Sequence, residues 1–159
     1  MIDRMPETKT YRPEGFSDVT LHLTVKGAAD YIDFLKRAFN AEELDRSPMP
    51  DGRLMHATVR VGDSCIMLND HFPEMGAKPI PEGDFPLRIN LCVPDADAQW
   101  KQALDAGCTV VFPLQNQFWG DRYGQVRDPF GFVWSIATRI EHLTPDEMNA
   151  RARKIFGGG

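Results

Sequence analysis

The sequence predicts an α+β fold of two tandem β-α-β-β-β modules followed by a C-terminal helix. Two observations carry that prediction. An offset of 68 residues brings the two halves into register without a gap: Leu23, Val25 and Ala28 fall on Leu91, Val93 and Ala96, and Gly52 falls on Gly120. Within each half, a run of period two, a run of helical spacing and further period-two runs follow in the same order.

Residues 18–25, DVTLHLTV, alternate apolar and polar, as a strand with one buried face does. Residues 28–39 place Ile32, Leu35 and Phe39 at helical spacing. A short strand is expected at 42–46, ahead of Pro48, Pro50 and the turn Asp51-Gly52. Strands at 54–61 and 64–69 are joined by Gly62-Asp63. Residues 71–86, rich in Pro and Gly, read as a linker. The second half then gives a strand at 87–93, a helix at 95–106, and strands at 109–112, 122–127 and 132–138, with a turn at 128–131. Thr144, Pro145 and Glu147 form a capping box with proline in the first turn. They open a helix over 145–156 whose apolar side is Met148, Ala152, Ile155 and Phe156, ahead of a Gly-Gly-Gly end. The expected domains are an N-terminal extension (1–15), modules at 16–70 and 87–140 around the linker 71–86, and a C-terminal helix and tail (141–159).

The chain has 159 residues, 42% hydrophobic and 26% charged, with a net charge of −5. That suits a globular protein, and without a clustered basic face it argues against nucleic acid as the partner. No apolar run approaches a membrane span and the N-terminus lacks the apolar core of a signal peptide, so a cytoplasmic protein is expected. Cys65, Cys92 and Cys108 are scattered and odd in number, which predicts buried thiols rather than disulfides.

The stretch FWGDRYGQVRDPFGFVWSIAT at 118–138 resembles the second-module signature of a PhnB-like branch of the vicinal oxygen chelate superfamily of glyoxalases, bleomycin-resistance proteins and dioxygenases. GAADYIDFLKRAFNAEEL at 27–44 and DGRLMHATVRVGDSCIMLND at 51–70 carry the same resemblance, which spans about residues 15–157. It implies a glyoxalase/bleomycin-resistance-like fold in which the two modules form a half-open curved sheet around a small-molecule pocket. It also implies a homodimer, which in some relatives exchanges modules.

Strand alternation gives the pocket-facing set. In the first strand Thr20, His22 and Thr24 share a face opposite Val19, Leu21, Leu23 and Val25; in its counterpart Arg88, Asn90 and Cys92 do so. The fourth strands present Cys65, Met67 and Asn69, and Val133, Ser135 and Ala137. In metal-dependent relatives the resemblance places four ligands at positions that are here Thr20, Met67, Arg88 and Ser135. None of these is a good ligand for a divalent cation, and Arg88 adds a repelling charge. No cofactor is therefore expected. The alternative is a divalent metal on shifted ligands around His22, helped by His56 or Asp70, in a glyoxalase-like lyase, isomerase or dioxygenase.

Arg88 suits a carboxylate or phosphate, unless it pairs with Asp70 or Glu74. Asn69 and Asn90 can orient a polar group. In the aromatic loop 115–123, Phe118, Trp119 and Tyr123 either cover a planar ligand or act as a structural plug. Trp100 and Trp134 read as core, and Asp128 as a cap of the turn Asp128-Pro129-Phe130-Gly131. The functional expectation is a binder of a small polar or anionic compound, aromatic ones included, without the usual metal site.

Overall fold

The computed structural model describes residues 11–84 and 86–157. The expected extension over 1–10 and the last two glycines lie outside the described residues. The order of elements is β1 (Leu21–Val25), α1 (Ala28–Phe39), β2 (Glu42–Pro48), β3 (Leu54–Val61), β4 (Ser64–Asp70), β5 (Arg88–Cys92), α2 (Ala96–Asp105), β6 (Thr109–Asn116), β7 (Asp121–Arg127), β8 (Val133–Arg139) and α3 (Pro145–Phe156). A 3-10 turn, Pro73–Met75, punctuates the linker. The chain forms two compact units: Met1–Lys36 with Asn40–Ile80, and Pro81–Gly159 with Arg37–Phe39. Each contains one mixed four-stranded sheet, ordered β1-β4-β3-β2 in the first and β5-β8-β7-β6 in the second. The α+β class and the repeated β-α-β-β-β succession are as the sequence predicts.

In the first unit, α1 buries Tyr31, Ile32, Phe34 and Leu35 completely. Burying each such side chain contributes about 1.5–3 kcal/mol. Its N-cap, Gly27, has a left-handed backbone and no capping side chain. Asp70, at the end of β4, does that work instead. One carboxylate oxygen accepts from the Gly27 and Ala28 N–H groups at 2.9 and 3.0 Å, and the other from Leu54 N–H at 2.7 Å. In the second unit α2 is capped locally, with Asp95 accepting from Ala98 N–H. Its Trp100 lies over β7 at Gly124, where a Cβ would stand 2.6 Å from the indole; any side chain there would collide with the ring. Trp100 is half-buried, and Trp134 is the buried core tryptophan of this unit, stacked on Phe39 at 4.2 Å.

The gap-free repeat does not survive at the third strands. Met67 pairs with Thr58, so the 68-residue offset would pair Ser135 with Val126; Ser135 pairs instead with Gln125. The cause is the hairpin. In the first unit Val61 faces Ser64 across two residues, whereas in the second Arg127 faces Val133 across five. A one-residue slip exchanges the faces of a strand. Val126 is therefore buried, while Tyr123, Gln125 and Arg127 line up on the face of Ser135.

Asp128 fixes that longer turn. It is 3% exposed, and one oxygen accepts from the Phe130 and Phe132 N–H groups at 2.9 and 3.0 Å while the other accepts from the Trp134 indole at 3.0 Å. The turn-capping role expected for Asp128 is thus joined by a bond into the core.

Other expectations are corrected. The first strand starts at Leu21 rather than residue 18: Val19 is 89% exposed, and Thr20 precedes the strand and donates to the Ser17 carbonyl at 3.3 Å. The sixth strand continues through Pro113 to Asn116, beyond the predicted stop at 112, because edge pairing resumes after each of two register shifts. The helix over 145–156 and its capping box are present. Its expected apolar side is only partly covered: Met148 and Ala152 are half-buried, while Ile155 and Phe156 are exposed. Arg151 makes a bidentate pair with Glu141 at 2.9 and 2.8 Å.

Replacing Asp128 by alanine leaves two backbone N–H groups and one indole N–H without their buried acceptor. The expected loss is about 2–4 kcal/mol of stability, read by urea unfolding. A loss under about 1 kcal/mol would show that the turn does not need the carboxylate.

Candidate functional site

The faces opposite the helices differ between the units. On the first sheet His22, Met67 and Thr58 share one row, and Thr24 and Asn69 the next. The Thr24 hydroxyl donates to the Asn69 carbonyl oxygen at 3.1 Å. His56 lies 3.1 Å from the Thr58 hydroxyl and 3.5 Å from Asp45, and its ring stands edge-to-face with His22 at 6.5 Å. The middle strand carries Cys65, Met67 and Asn69, of which Met67 and Asn69 are half-buried. Cys65 is buried there, its thiol donating to the Gly15 carbonyl at 3.4 Å.

On the second sheet the middle strand carries small or short side chains, Val133, Ser135 and Ala137, between taller ones on β5 and β7. The rows read Arg88-Val133-Arg127, Asn90-Ser135-Gln125 and Cys92-Ala137-Tyr123. Short residues between long ones make a trough. At its Arg88 end it opens into a groove of about 630 Å³, lined by Asp84, Pro86, Leu87, Arg88, Val111, Gln125, Arg127 and Val133. Two smaller depressions lie elsewhere. One is lined by Arg37 and by Lys101, which pairs with Asp105; the other by Lys26 and by Arg53, which pairs with Asp51.

The middle of the trough is satisfied internally. Ser135 donates to the Asn90 carbonyl oxygen at 2.6 Å, Asn90 donates to the Cys92 sulfur at 3.4 Å, and Gln125 donates to the Tyr123 hydroxyl at 2.8 Å. Arg127 is tied to Asp84 and donates to the Gly131 carbonyl at 3.1 Å. Arg88 has no ion pair among the described residues. Asp70 is committed to three backbone N–H groups and Glu74 to Arg53, so neither takes the pairing considered for Arg88. The Arg53 guanidinium, held by Glu74 and then Asp51, has its pKa raised further above its ordinary value.

At the other end of the trough the aromatic side chains meet. Tyr123 stands edge-on to Trp119 at 5.2 Å and to Phe112 at 6.4 Å. Trp119 donates to Asp121 at 2.9 Å and meets Phe118 at 5.2 Å, and Phe118 in turn meets Phe156 at 5.7 Å. Only residues 117–120 are loop here; the rest of the predicted loop 115–123 belongs to β6 and β7.

The four positions implied as metal ligands do not fit a divalent cation. The Thr20 hydroxyl is turned back to Ser17, Met67 offers a weak thioether, Arg88 is a cation, and Ser135 is buried and bonded to Asn90. Among the described residues no group of three or more His, Cys, Asp or Glu side chains could hold a metal ion. Asp70, suggested as a helper of His22, lies in the row of Val25 and is buried against the start of α1.

The structure thus gathers Arg88, Asn90, Ser135 and Tyr123 on one trough, with Trp119 and Phe118 behind Tyr123. His22, Met67 and Asn69 share the first sheet's face, while Thr20 stands apart from its strand. Sequence reasoning missed Gln125, Arg127, Phe112 and Val111. The signal for the first two was the length of the turn before Val133.

A family model of the Glyoxalase/Bleomycin resistance protein/Dioxygenase superfamily matches residues 18–136. The chain belongs to that superfamily. It is 48% identical over 133 residues to the Mycobacterium tuberculosis protein Rv0887c, covering 81% of this chain and 78% of that one. Among solved structures it is similar to TioX from Micromonospora sp. ML1, at 25% identity and TM-score 0.61, covering 80% of this chain and 100% of that one. A PhnB protein from Bacillus cereus shares the fold at 16% identity and TM-score 0.61, covering 77% of this chain and 99% of that one. No helix among the described residues is long and apolar enough to cross a membrane.

The three thiols are free, but not all are buried as expected: Cys92 is exposed in the trough wall. Cys108 is buried, and burial with the nearby Asp128 charge pushes its thiol up to about 12. The expected outcome with a thiol-specific disulfide reagent at about pH 8 is rapid modification of a single thiol per chain. Cys92→Ser should abolish it, and fast reaction at Cys108 in the native protein would contradict the burial.

Proposed function

We propose that this chain is a small-molecule-binding member of its superfamily. It takes a polar or anionic organic compound into the trough of the second sheet, without the metal site used by the family's metal-dependent enzymes. The observation that carries this reading is Arg88, a guanidinium with no ion pair among the described residues, at the rim of a groove of about 630 Å³. A guanidinium offers a planar fork of donors matched to a carboxylate or phosphate, and a partly enclosed site strengthens that match. Arg127, tied to Asp84, offers a second guanidinium on the far side of the apolar Val133. Asn90, Ser135 and Gln125 supply polar edges that can exchange their mutual bonds for bonds to a ligand.

The metal-dependent alternative, a glyoxalase-like lyase, isomerase or dioxygenase, draws on the edge-to-face pair His22 and His56. Two imidazoles fall short of the three protein ligands a catalytic zinc site uses, and His56 is already engaged by Thr58.

Titration calorimetry with a panel of small carboxylates and phosphates, followed in parallel by tryptophan fluorescence, tests the proposal. Arg88→Gln is expected to weaken anion binding about 10- to 100-fold, the scale of one charge-assisted hydrogen-bonded contact. Panel members that bind equally well to Arg88→Gln would sink the assignment of the trough. Elemental analysis of protein purified without added metal tests the alternative: a stoichiometric metal lost in His22→Ala would favour it over this reading.

A further inference from the structure

We infer that the ligand of the trough is two-ended: an anion held at Arg88 and Arg127, joined by a short apolar spacer to an aromatic ring held at Phe112. This rests on the proposed function and adds the class of compound. Three observations carry it.

The first is the placement of charge. Arg88 and Arg127 flank Val133 in one row, separated by two interstrand spacings, or roughly 10 Å between their Cα atoms. Arg88, without an ion pair among the described residues, can hold an anion above the valine, and Arg127 joins it by exchanging its Asp84 partner for the ligand. The remaining rows carry no charge: Asn90, Ser135 and Gln125, then Cys92, Ala137 and Tyr123. A ligand lying along the trough therefore meets charge at one end only.

The second is a bulge in β6. Val110 pairs with Val126 and Phe112 pairs with Gln125, so Val111 is an extra residue in the ladder. Regular alternation would send Phe112 to the helix side. The inserted residue brings it onto the row of Gln125 instead and leaves Val111 lining the groove. Together they form an apolar wall beside an otherwise polar row.

The third is the state of that wall. Phe112 is 42% exposed, although its ring meets Tyr123 in a T-shaped pair, and Tyr123 meets Trp119 in turn. The chain thus holds a phenyl ring in place without covering it. An aromatic ligand ring completes such a cluster in the offset or edge-to-face arrangement that aromatic pairs prefer. The Phe112 row lies two residues along the strand from the arginine row and the Tyr123 row four, which places a ring roughly 7–13 Å from the anion. A benzoate is too short for that span, and an arylalkyl acid fits it.

The test compares phenylacetate, phenylbutanoate and decanoate, the last two equal in carbon number, on the wild-type chain, Phe112→Ala and Arg88→Gln. Phenylbutanoate is expected to bind more tightly than phenylacetate and decanoate. Phe112→Ala should weaken phenylbutanoate about 3- to 10-fold and leave phenylacetate unchanged. Arg88→Gln should weaken all three acids. Phe112→Leu, which keeps an apolar side chain, replaces the alanine variant if that variant unfolds at lower temperature, and it should lose the same preference for the ring. If Arg88→Gln weakens the acids but chain length, ring and Phe112 make no difference, the two-ended ligand is wrong and the anion site stands. If no acid binds in an Arg88-dependent way, the proposed function fails and this inference with it.

Discussion

The second unit depends on one buried carboxylate. Asp128 gathers two N–H groups of its own turn and the indole N–H of Trp134. The turn bonds hold five residues between paired ends, and the indole bond ties that turn to the core. Burying a carboxylate is costly, and three donors offset the cost. The spacing of the paired ends then decides which residues of β7 stand opposite Ser135. The composition of the trough is thus set some distance from it, by hydrogen bonds that touch no ligand.

The two units solve shared problems with different residues. The first helix begins at a glycine and borrows Asp70 from the end of a strand, whereas the second helix caps itself with Asp95. One middle strand carries Met67 and Asn69 where the other carries Ser135 and Ala137. One face holds an edge-to-face pair of histidines, and the other a trough with charge at one end. A repeated module preserves its ladder of backbone bonds, while the side chains on it are free to diverge. For that reason membership of this superfamily fixes the architecture but not the chemistry.

Much of the architecture was legible in the sequence. The bounds of α1, β3 and α3 coincide with the predicted ones, because helical spacing, a capping box and a two-residue turn are local signals. Alternation also placed Arg88, Asn90 and Ser135 on one face correctly, since β5 and β8 are paired without irregularity. What was not legible depended on partners. Thr20 alternates properly with His22 but finds the Ser17 carbonyl before it finds a neighbouring strand. Gln125 and Arg127 could not be placed while the second turn was read as 128–131, one residue shorter than the five that separate Arg127 from Val133. Phe112 needed the bulge at Val111, which leaves no mark in composition. For Cys92 the two signals disagreed: thiol chemistry suggested burial while strand phase put it on the face of Arg88 and Asn90, and the phase was right.

The unequal hairpins also say something about how such a duplicated protein can change. Moving β7 by one position would withdraw tyrosine, glutamine and arginine together and offer Arg122, Gly124 and Val126 in their place. A single insertion or deletion near residue 130 would thereby rewrite a whole wall of the channel at once, with no substitution in it. Among folds built from copied sheets, turn length is in this sense a coarse dial for pocket chemistry, and point mutation is the fine one.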